Sequence, residues 1–205
     1  MGRALIERLL ARGHRVRALA RASSTARLPP GTEAVTGDAL DAGSYGHAVQ
    51  KGDVFVHLVG VSKPAPWKGR AFRAVDLASV EAATRNAAAA GVSRFVYLSV
   101  AQPAPVMRAY VAARAAGEAL VRALTVPSTI LRPWYVLGPR HWWPILLLPI
   151  YWLLRRLPQT RDAATRLGLV THKQMLSALV RAIESDGPGV TTVAVPEIRG
   201  ELTAK

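Results

Sequence analysis

The sequence contains no cysteine among its 205 residues. Disulfide bonds and thiolate metal sites are therefore excluded, and the redox compartment of the protein stays undecided. Histidines are also few, and His57, His141 and His172 are not spaced like metal ligands. We expect no metal site.

Long apolar runs are lacking as well. The longest, residues 142–154, is shorter than the roughly 20 residues that a spanning helix requires, and Pro144 and Pro149 interrupt it. No secretory signal is visible, so we expect a cytoplasmic protein. Tryptophans and flanking arginines leave two interpretations for residues 142–154. They form a hydrophobic lid or buried packing, or they contact a membrane peripherally.

Acidic residues are scarce, with 13 Asp and Glu against 27 Lys and Arg and a formal net charge of +14. The basic residues are spread over the whole length, without a dense Lys/Arg block. The excess reflects either an arginine-rich genome or attraction to anions such as a phosphorylated cofactor or acidic lipid. Aromatic residues do not alternate with basic ones, so we expect no nucleic-acid partner.

Apolar periodicity predicts strands alternating with helices. The predicted helices are 2–13, 44–50, 69–90 and 106–124, and the predicted strands are 14–20, 32–36, 54–59, 94–99 and 128–131. This order is typical of an α/β fold, a Rossmann-like doubly wound parallel sheet. Residues 1–139 are its expected core, and 140–205 are expected to complete the same domain with the apolar segment, a helix and a strand. In this last part 167–170 and 190–195 suit strands, and Thr171 and Gln174 have the spacing of a capping box before a helix.

Residues 94–114 carry the predicted chemistry. Ser99 ends a buried strand, where open α/β sheets bind ligands. Tyr110 and Arg114 are four residues apart on a helix and therefore share a face. A nearby cation favours the phenolate, which makes Tyr110 a candidate proton donor or acceptor.

Six short segments occur in an order that resembles a known family. They are the first helix with Gly13-His14-Arg15-Val16, then 37–41 (GDALD), 75–86, 90–99 (AGVSRFVYLS), 129–133 (TILRP) and 136–139 (VLGP). The chain resembles the atypical and extended short-chain dehydrogenase/reductase superfamily. Its nearest branches are the epimerase/dehydratase-like and NmrA-like proteins and a complex I subunit-like group.

The resemblance implies an NAD(P)-binding oxidoreductase or epimerase/dehydratase that acts by hydride transfer on a small-molecule or lipid-like, quinone-like substrate. The alternative is a non-catalytic nucleotide-binding protein with a structural or regulatory role. Tyr110 would move the proton, Ser99 would position the substrate oxygen, and Arg114 stands where the family has a lysine. The implied cofactor-binding residues are Gly2, Arg21, Asp38, Ala39, Leu58, Val59, Gly60 and Pro133. Because Arg21 stands near the place of an acidic residue that binds the ribose of NAD, NADP is preferred over NAD.

Two departures from the family pattern affect these expectations. Of the glycine-rich turn that binds the pyrophosphate, only Gly2 is present, which predicts a natural start upstream, two unpaired strand edges and poor dinucleotide binding. Arginine at 114 keeps the charge of lysine but not its geometry. Glu118, four residues further along the helix, is expected to pair with Arg114.

Overall fold

Strands and helices alternate along the chain in the computed structural model, which describes residues 1–138, 152, 156 and 158–201. The strands are β1 (Arg17–Ala20), β2 (Glu33–Thr36), β3 (Val54–His57), β4 (Arg94–Leu98), β5 (Ser128–Leu131), β6 (Tyr135–Leu137), β7 (Leu169–Thr171) and β8 (Val190–Val193). The α-helices are α1 (Gly2–Leu10), α2 (Ala42–Tyr45), α3 (Gly69–Ala71), α4 (Ala78–Ala90), α5 (Arg108–Arg122), α6 (Pro158–Arg166), α7 (His172–Ile183) and α8 (Val195–Arg199). The predicted α/β class is confirmed.

The strands form parallel sheets. β3, β4, β5 and β8 make one four-stranded sheet in that order, and β1–β2 and β6–β7 make two-stranded ladders. Within the described residues, β1 and β3 share no ladder, so each keeps one unpaired edge. An ion pair between Arg17 and Asp53 links the two strand groups at this point.

Helices cover both faces of the four-stranded sheet. On one face, Leu5 and Leu9 of α1 and Leu179 of α7 pack with Val96 of β4. On the other face, α4 and α5 pack against Phe95 and Tyr97, the two neighbours of Val96. Alternate residues of a strand point to opposite faces, so β4 supplies both halves of the core. This is the doubly wound arrangement expected from the sequence.

The helix predicted over residues 69–90 contains an irregular turn. A π-helix, Phe72–Leu77, joins α3 to α4, and Gly91 ends the helix in the left-handed conformation at φ 67°. A π-turn inserts an extra residue per turn and is frequent at functional sites. Here it carries Asp76, which is completely buried.

Several predicted boundaries shift for local reasons. The helix predicted at 44–50 begins instead at Ala42, because the Asp41 side chain accepts a hydrogen bond from the backbone N–H of Gly43, and it continues as a 3-10 turn, Gly46–Ala48. The strand predicted at 190–195 ends at Val193, and Val195 starts α8. The capping box of Thr171 and Gln174 is confirmed, with both reciprocal hydrogen bonds formed.

The last third of the chain contains elements that the sequence pattern did not predict, namely β6 and α6. The strand predicted at 167–170 lies at Leu169–Thr171 and pairs with β6. Most of the apolar segment 142–154 lies outside the described residues. Within the part of the chain that is described, no helix is both long and apolar enough to cross a bilayer.

Candidate active site

The predicted catalytic residues meet at the carboxyl ends of the central strands. Ser99 directly follows β4, and Gly60 lies three residues after β3. The helix α5 passes this edge and carries Tyr110, Arg114 and Glu118 at intervals of four residues. The edge of a parallel sheet thus receives a hydroxyl, a phenol and two charged groups.

Arg114 is buried within the protein. Its Nη2 lies 2.6 Å from Oδ1 of Asp76, and the two side chains are 6% and 0% exposed. Its Nη1 donates to the backbone oxygen of Leu98 at 2.9 Å. A Cβ built on Gly60 would lie 2.1 Å from Arg114 Nη2, so the guanidinium occupies the space that a side chain at position 60 would need. The arginine is therefore enclosed between the end of β3, the end of β4 and the π-turn.

Burial and pairing act on the protonation of this pair. Burial raises the pKa of the Asp76 carboxyl, and the adjacent Arg114 charge offsets only part of that rise. Burial disfavours the charged guanidinium, but the fields of Tyr110, Tyr97 and Asp76 outweigh it and raise the pKa of Arg114. Besides this ion pair, the backbone N–H of Val61 donates a hydrogen bond to Asp76 Oδ2 at 3.1 Å and fixes the carboxylate. The pair joins the loop after β3 to α5 through the π-turn.

Tyr110 is half-buried beside this pair. Its ring lies 5.0 Å from the ring of Phe72, and the Arg114 guanidinium carbon lies 5.4 Å from the Tyr110 ring centroid. The guanidinium carbon lies 5.9 Å from the Tyr97 ring on the buried side. The cation is thus flanked by two phenols, of which Tyr97 is fully buried.

Ser99 belongs to a separate network centred on Glu118. Its Oγ donates to Glu118 Oε1 at 2.6 Å, and Nε2 of Gln102 and Nε of Arg132 donate to the same oxygen at 2.7 and 2.9 Å. Burial opposes ionisation of Glu118, but the hydrogen bonds from Arg132 and Ser99 prevail and lower the pKa of its carboxyl. A serine has a single O–H, so Ser99 offers only its lone pairs to a ligand while this bond persists.

The pairing expected between Arg114 and Glu118 is wrong. Arg114 pairs with Asp76, and Glu118 pairs with Arg132. Spacing of four residues allows contact on a helix surface, where such pairs are worth a few tenths of a kcal/mol. Both side chains are buried here, and their partners come from other parts of the chain. Arg114 contacts Asp76 and the backbone oxygen of Leu98. Glu118 accepts hydrogen bonds from Ser99, Gln102 and Arg132.

The site also contains residues that the sequence pattern does not single out. Asp76 belongs only to a segment match, and the pattern predicts no role for Gln102 and Arg132. A signal for Asp76 exists: it is one of two carboxylates, with Glu81, in the alanine-rich helix predicted at 69–90, and a carboxylate is seldom buried without a charged partner. Nothing in the sequence signals the position of Gln102, which depends on the loop before α5.

The residues predicted to bind the nucleotide lie at strand ends and at the start of α1. Arg21 follows β1 and is exposed, and exposed Asp38 follows β2, its Oδ1 accepting from the backbone N–H of Leu40 at 3.0 Å. Ala39, Leu58, Val59 and Gly60 are partly buried. Pro133 is buried, and its backbone oxygen accepts from the N–H of Ala101 at 2.9 Å.

Gly2 begins α1, and a helix N-terminus is a general position for binding anions such as a pyrophosphate. Arg21 and Asp38 follow neighbouring parallel strands, and their polar side chains can meet the adenosine portion of a dinucleotide. At the ends of β3 and β4, by contrast, Arg114 is enclosed by protein and does not face a ligand site.

Residues 1–138 match a family model described as NAD(P)H-binding. The chain belongs to this NAD(P)H-binding family, and its fold is that of the short-chain dehydrogenase/reductase and epimerase proteins. Among solved structures, the enzyme WbmG of Bordetella bronchiseptica in complex with NAD and UDP aligns with a TM-score of 0.65 and 21% identity, covering 100% of this chain and 76% of that one. A UDP-glucose 4-epimerase of Thermus thermophilus in complex with NAD aligns at 0.67 and 18%, covering 97% and 78%.

A curated relative is the ceramide reductase of Caulobacter vibrioides. It is 33% identical over 107 residues, which is 52% of this chain and 33% of that protein. The match thus spans about a third of the relative's length.

Proposed function

We propose that this chain is an NAD(P)-dependent oxidoreductase in which Tyr110 transfers the proton. One observation carries the proposal. The Tyr110 phenol is half-buried at the carboxyl edge of the sheet, with a guanidinium 5.4 Å from its ring and Ser99 on the adjoining strand end. The nicotinamide supplies or accepts the hydride when the cofactor is bound. Tyr110 then donates or accepts the proton at the substrate oxygen, as a general acid or base.

The hydrogen bond from Ser99 to Glu118 defines the expected role of the serine. While its O–H points at Glu118, Ser99 can accept a hydrogen bond from a substrate hydroxyl but cannot donate one to a carbonyl. We therefore expect Ser99 to contact the alcohol form of the substrate. To donate a hydrogen bond to the ketone form, Ser99 must break its hydrogen bond to Glu118. Arg132 and Gln102 would still donate to that carboxylate.

A lipid carrying a hydroxyl or ketone is the proposed substrate class, and NADP is the proposed cofactor. The similarity to a ceramide reductase supports a lipid substrate. Exposed Arg15 and Arg21 beside β1 support a cofactor with a 2′-phosphate.

Thermal-shift titration with NADPH and with NADH tests the cofactor. A ligand at 100 times its Kd stabilises the native state by about 2.7 kcal/mol. We expect a larger shift with NADPH, and a smaller one in Arg21→Glu, while NADH gives equal shifts in both proteins. Arg27→Glu, which makes the same charge change at an exposed residue after the β1 strand, serves as the matched control. No shift with either nucleotide on the full natural protein would contradict the proposal.

A non-catalytic nucleotide-binding role is the second candidate, because Asp76 neutralises the buried Arg114. Turnover assays with long-chain alcohols and ketones separate the two. Loss of turnover in Tyr110→Phe with unchanged NADPH binding supports catalysis. NADPH binding without turnover in the natural protein or in Arg114→Lys supports the second role.

A further inference from the structure

The segments before α5 and before the π-turn form an exposed surface, which we call the Trp67 surface. It comprises residues 62–73 and 103–108. Segment 62–73 packs against the first turn of α5, next to 103–108: a Cβ built on Gly69 would lie 3.5 Å from Cβ of Ala109, and the rings of Phe72 and Tyr110 are 5.0 Å apart. The surface therefore adjoins the candidate active site on the side of Tyr110.

Trp67 is 82% exposed at this surface, and Val106 is 53% exposed. The turn that carries the indole is closed by Lys68, whose Nζ donates to the backbone oxygens of Ser62 and Lys63 at 3.0 and 2.9 Å. The chain thus holds its most exposed large apolar side chain, among the described residues, on a fixed turn rather than on a chain end. An exposed indole lacks the stabilisation that most tryptophans gain from burial of their apolar surface.

The charge around Trp67 has one sign. The sequence has no Asp or Glu in residues 54–75 or 82–117. Lys63, Arg70, Arg73 and Arg108 are exposed. Of the two carboxylates between these stretches, Asp76 is buried against Arg114, and Glu81 is exposed on α4, outside the Trp67 surface. Arg166 of α6 donates to the backbone oxygen of Pro103 at 3.3 Å and adds positive charge at the loop before α5.

We propose that the Trp67 surface docks the protein on an anionic lipid bilayer, with the indole at headgroup depth and the surrounding basic side chains on acidic headgroups. Tryptophan favours the membrane interface, and each Lys or Arg near an anionic surface strengthens attachment. A single-stranded nucleic acid is disfavoured because its binding surfaces offer successive aromatic faces. Here the half-buried ring of Tyr110, which adjoins this surface, is packed against Phe72 and Arg114. The proposal does not depend on whether Tyr110 performs chemistry.

Vesicle co-sedimentation of the full protein tests this inference. We expect binding to vesicles of phosphatidylcholine with phosphatidylglycerol, weakening with salt, and little binding to phosphatidylcholine alone. Lys63→Glu and Arg73→Glu should each weaken binding at least about five-fold. Arg27→Glu, an exposed residue outside the surface, should weaken it less. Unfolding temperatures of all variants should match, because each side chain is exposed.

Substitution of Trp67 separates insertion from simple charge attraction. Trp67→Ala should weaken binding, and Trp67→Lys should weaken it too, although it adds a positive charge. The matched control is Trp152→Ala, since Trp152 is 58% exposed and lies in the apolar segment 142–154. Stronger binding in Trp67→Lys would overturn the proposal. So would detachment in Trp152→Ala but not in Trp67→Ala, or a single-stranded oligonucleotide that binds through Trp67 and competes with the vesicles.

Discussion

Arg114 and Glu118, two oppositely charged side chains on α5, are both buried, but their partners differ in exposure to solvent. Arg114 and Asp76, the sealed pair, have side chains that are 6% and 0% exposed. Glu118 is similarly buried at 4%, but its partner Arg132 keeps 25% of its side chain in solvent. We call Ser99, Gln102, Glu118 and Arg132 the open network. One turn of helix separates a closed charge pair from a group that can exchange partners with water or a ligand.

This difference has a functional consequence. The sealed pair fixes the π-turn, the end of β3 and α5 relative to one another, and any movement would leave a charge buried without a partner. The open network contains Ser99 and lies where Arg132 reaches solvent, so it can rearrange when a substrate binds. Rigidity and adaptability at the candidate active site thus come from different charge pairs on the same helix.

Removal of one partner should give the largest contrast. Asp76→Ala leaves the Arg114 charge buried, and we expect a loss of about 3–5 kcal/mol in the free energy of unfolding. Glu118→Ala lets Arg132 turn to water, and we expect a smaller loss of about 1–3 kcal/mol. Urea unfolding at neutral pH measures both. The double variant Asp76→Leu with Arg114→Met should recover most of the first loss, and equal losses in the two single variants would contradict the comparison.

His57 provides a pH-dependent measure of the sealed pair. Burial, followed by the Arg114 charge, lowers the pKa of His57 from 6.5 to about 3. The folded state therefore holds a neutral imidazole that the unfolded chain protonates, so stability is full above pH 6.5 and falls as the pH drops towards 3. By about pH 5 the loss should reach about 2 kcal/mol. His57→Gln should remove most of this slope, whereas His47→Gln, at an exposed histidine, should leave it unchanged.

Between about pH 6.5 and 5 Glu184 contributes little, because its lowered pKa, about 2, acts at lower pH, whereas His172, whose pKa burial also lowers, adds to the slope. Arg114→Met should raise the pKa of His57, so the loss of stability should still begin near pH 6.5 but should end at a higher pH and be smaller in total. An acid slope that persists in His57→Gln would assign it to another group.

The sequence predicted the positions of strand ends and helix faces at this site better than the partners of its charged side chains. Strand ends and helix faces follow from apolar periodicity, and they placed Ser99, Tyr110 and Arg114 at one edge correctly. The partner of Arg114 was mispredicted because helical spacing measures only local neighbours. Asp76 reaches Arg114 through the π-turn, and a one-residue insertion in a helix leaves no clear mark in an alanine-rich sequence.

Smaller departures have the same origin. The end of the strand predicted at 54–59 depends on its neighbour: β3 stops at His57, and Leu58 and Val59 continue as loop towards Gly60. The glycine at 60 was predicted as a cofactor contact, but its tightest constraint is the guanidinium of Arg114. Tertiary contacts of this kind cannot be derived from local patterns.

A milder change to the open network is Glu118→Gln. The amide oxygen still accepts from Ser99, but the charge that attracts Arg132 is lost, and we expect about 1–2 kcal/mol of destabilisation. Since the pKa of Glu118 is lowered in the folded state, the natural protein should lose this stability as the pH falls below the ordinary carboxyl range. Urea unfolding of the variant should show a free energy of unfolding that falls less steeply with decreasing pH in this range. An unchanged pH dependence would show that ionisation of Glu118 does not contribute to it.

The smallest stability effects should come from the two tyrosines that flank Arg114. Tyr97 is fully buried, and within the described residues its hydroxyl has no hydrogen-bond partner. Tyr97→Phe removes a buried polar group without leaving one unpaired, so stability should stay equal or rise by less than about 1 kcal/mol. Tyr110→Phe, at a half-buried ring, should change the free energy of unfolding by no more than about 0.5 kcal/mol.

The two tyrosine variants nevertheless differ in what they do to function. If Tyr110 transfers the proton, Tyr110→Phe abolishes turnover while Tyr97→Phe retains it, although both rings lie near the same guanidinium. Parallel assays of turnover, NADPH binding and urea unfolding on the two variants separate chemistry from folding. Equal turnover in both variants would remove Tyr110 from the reaction and leave the cation between the two rings with a structural role alone.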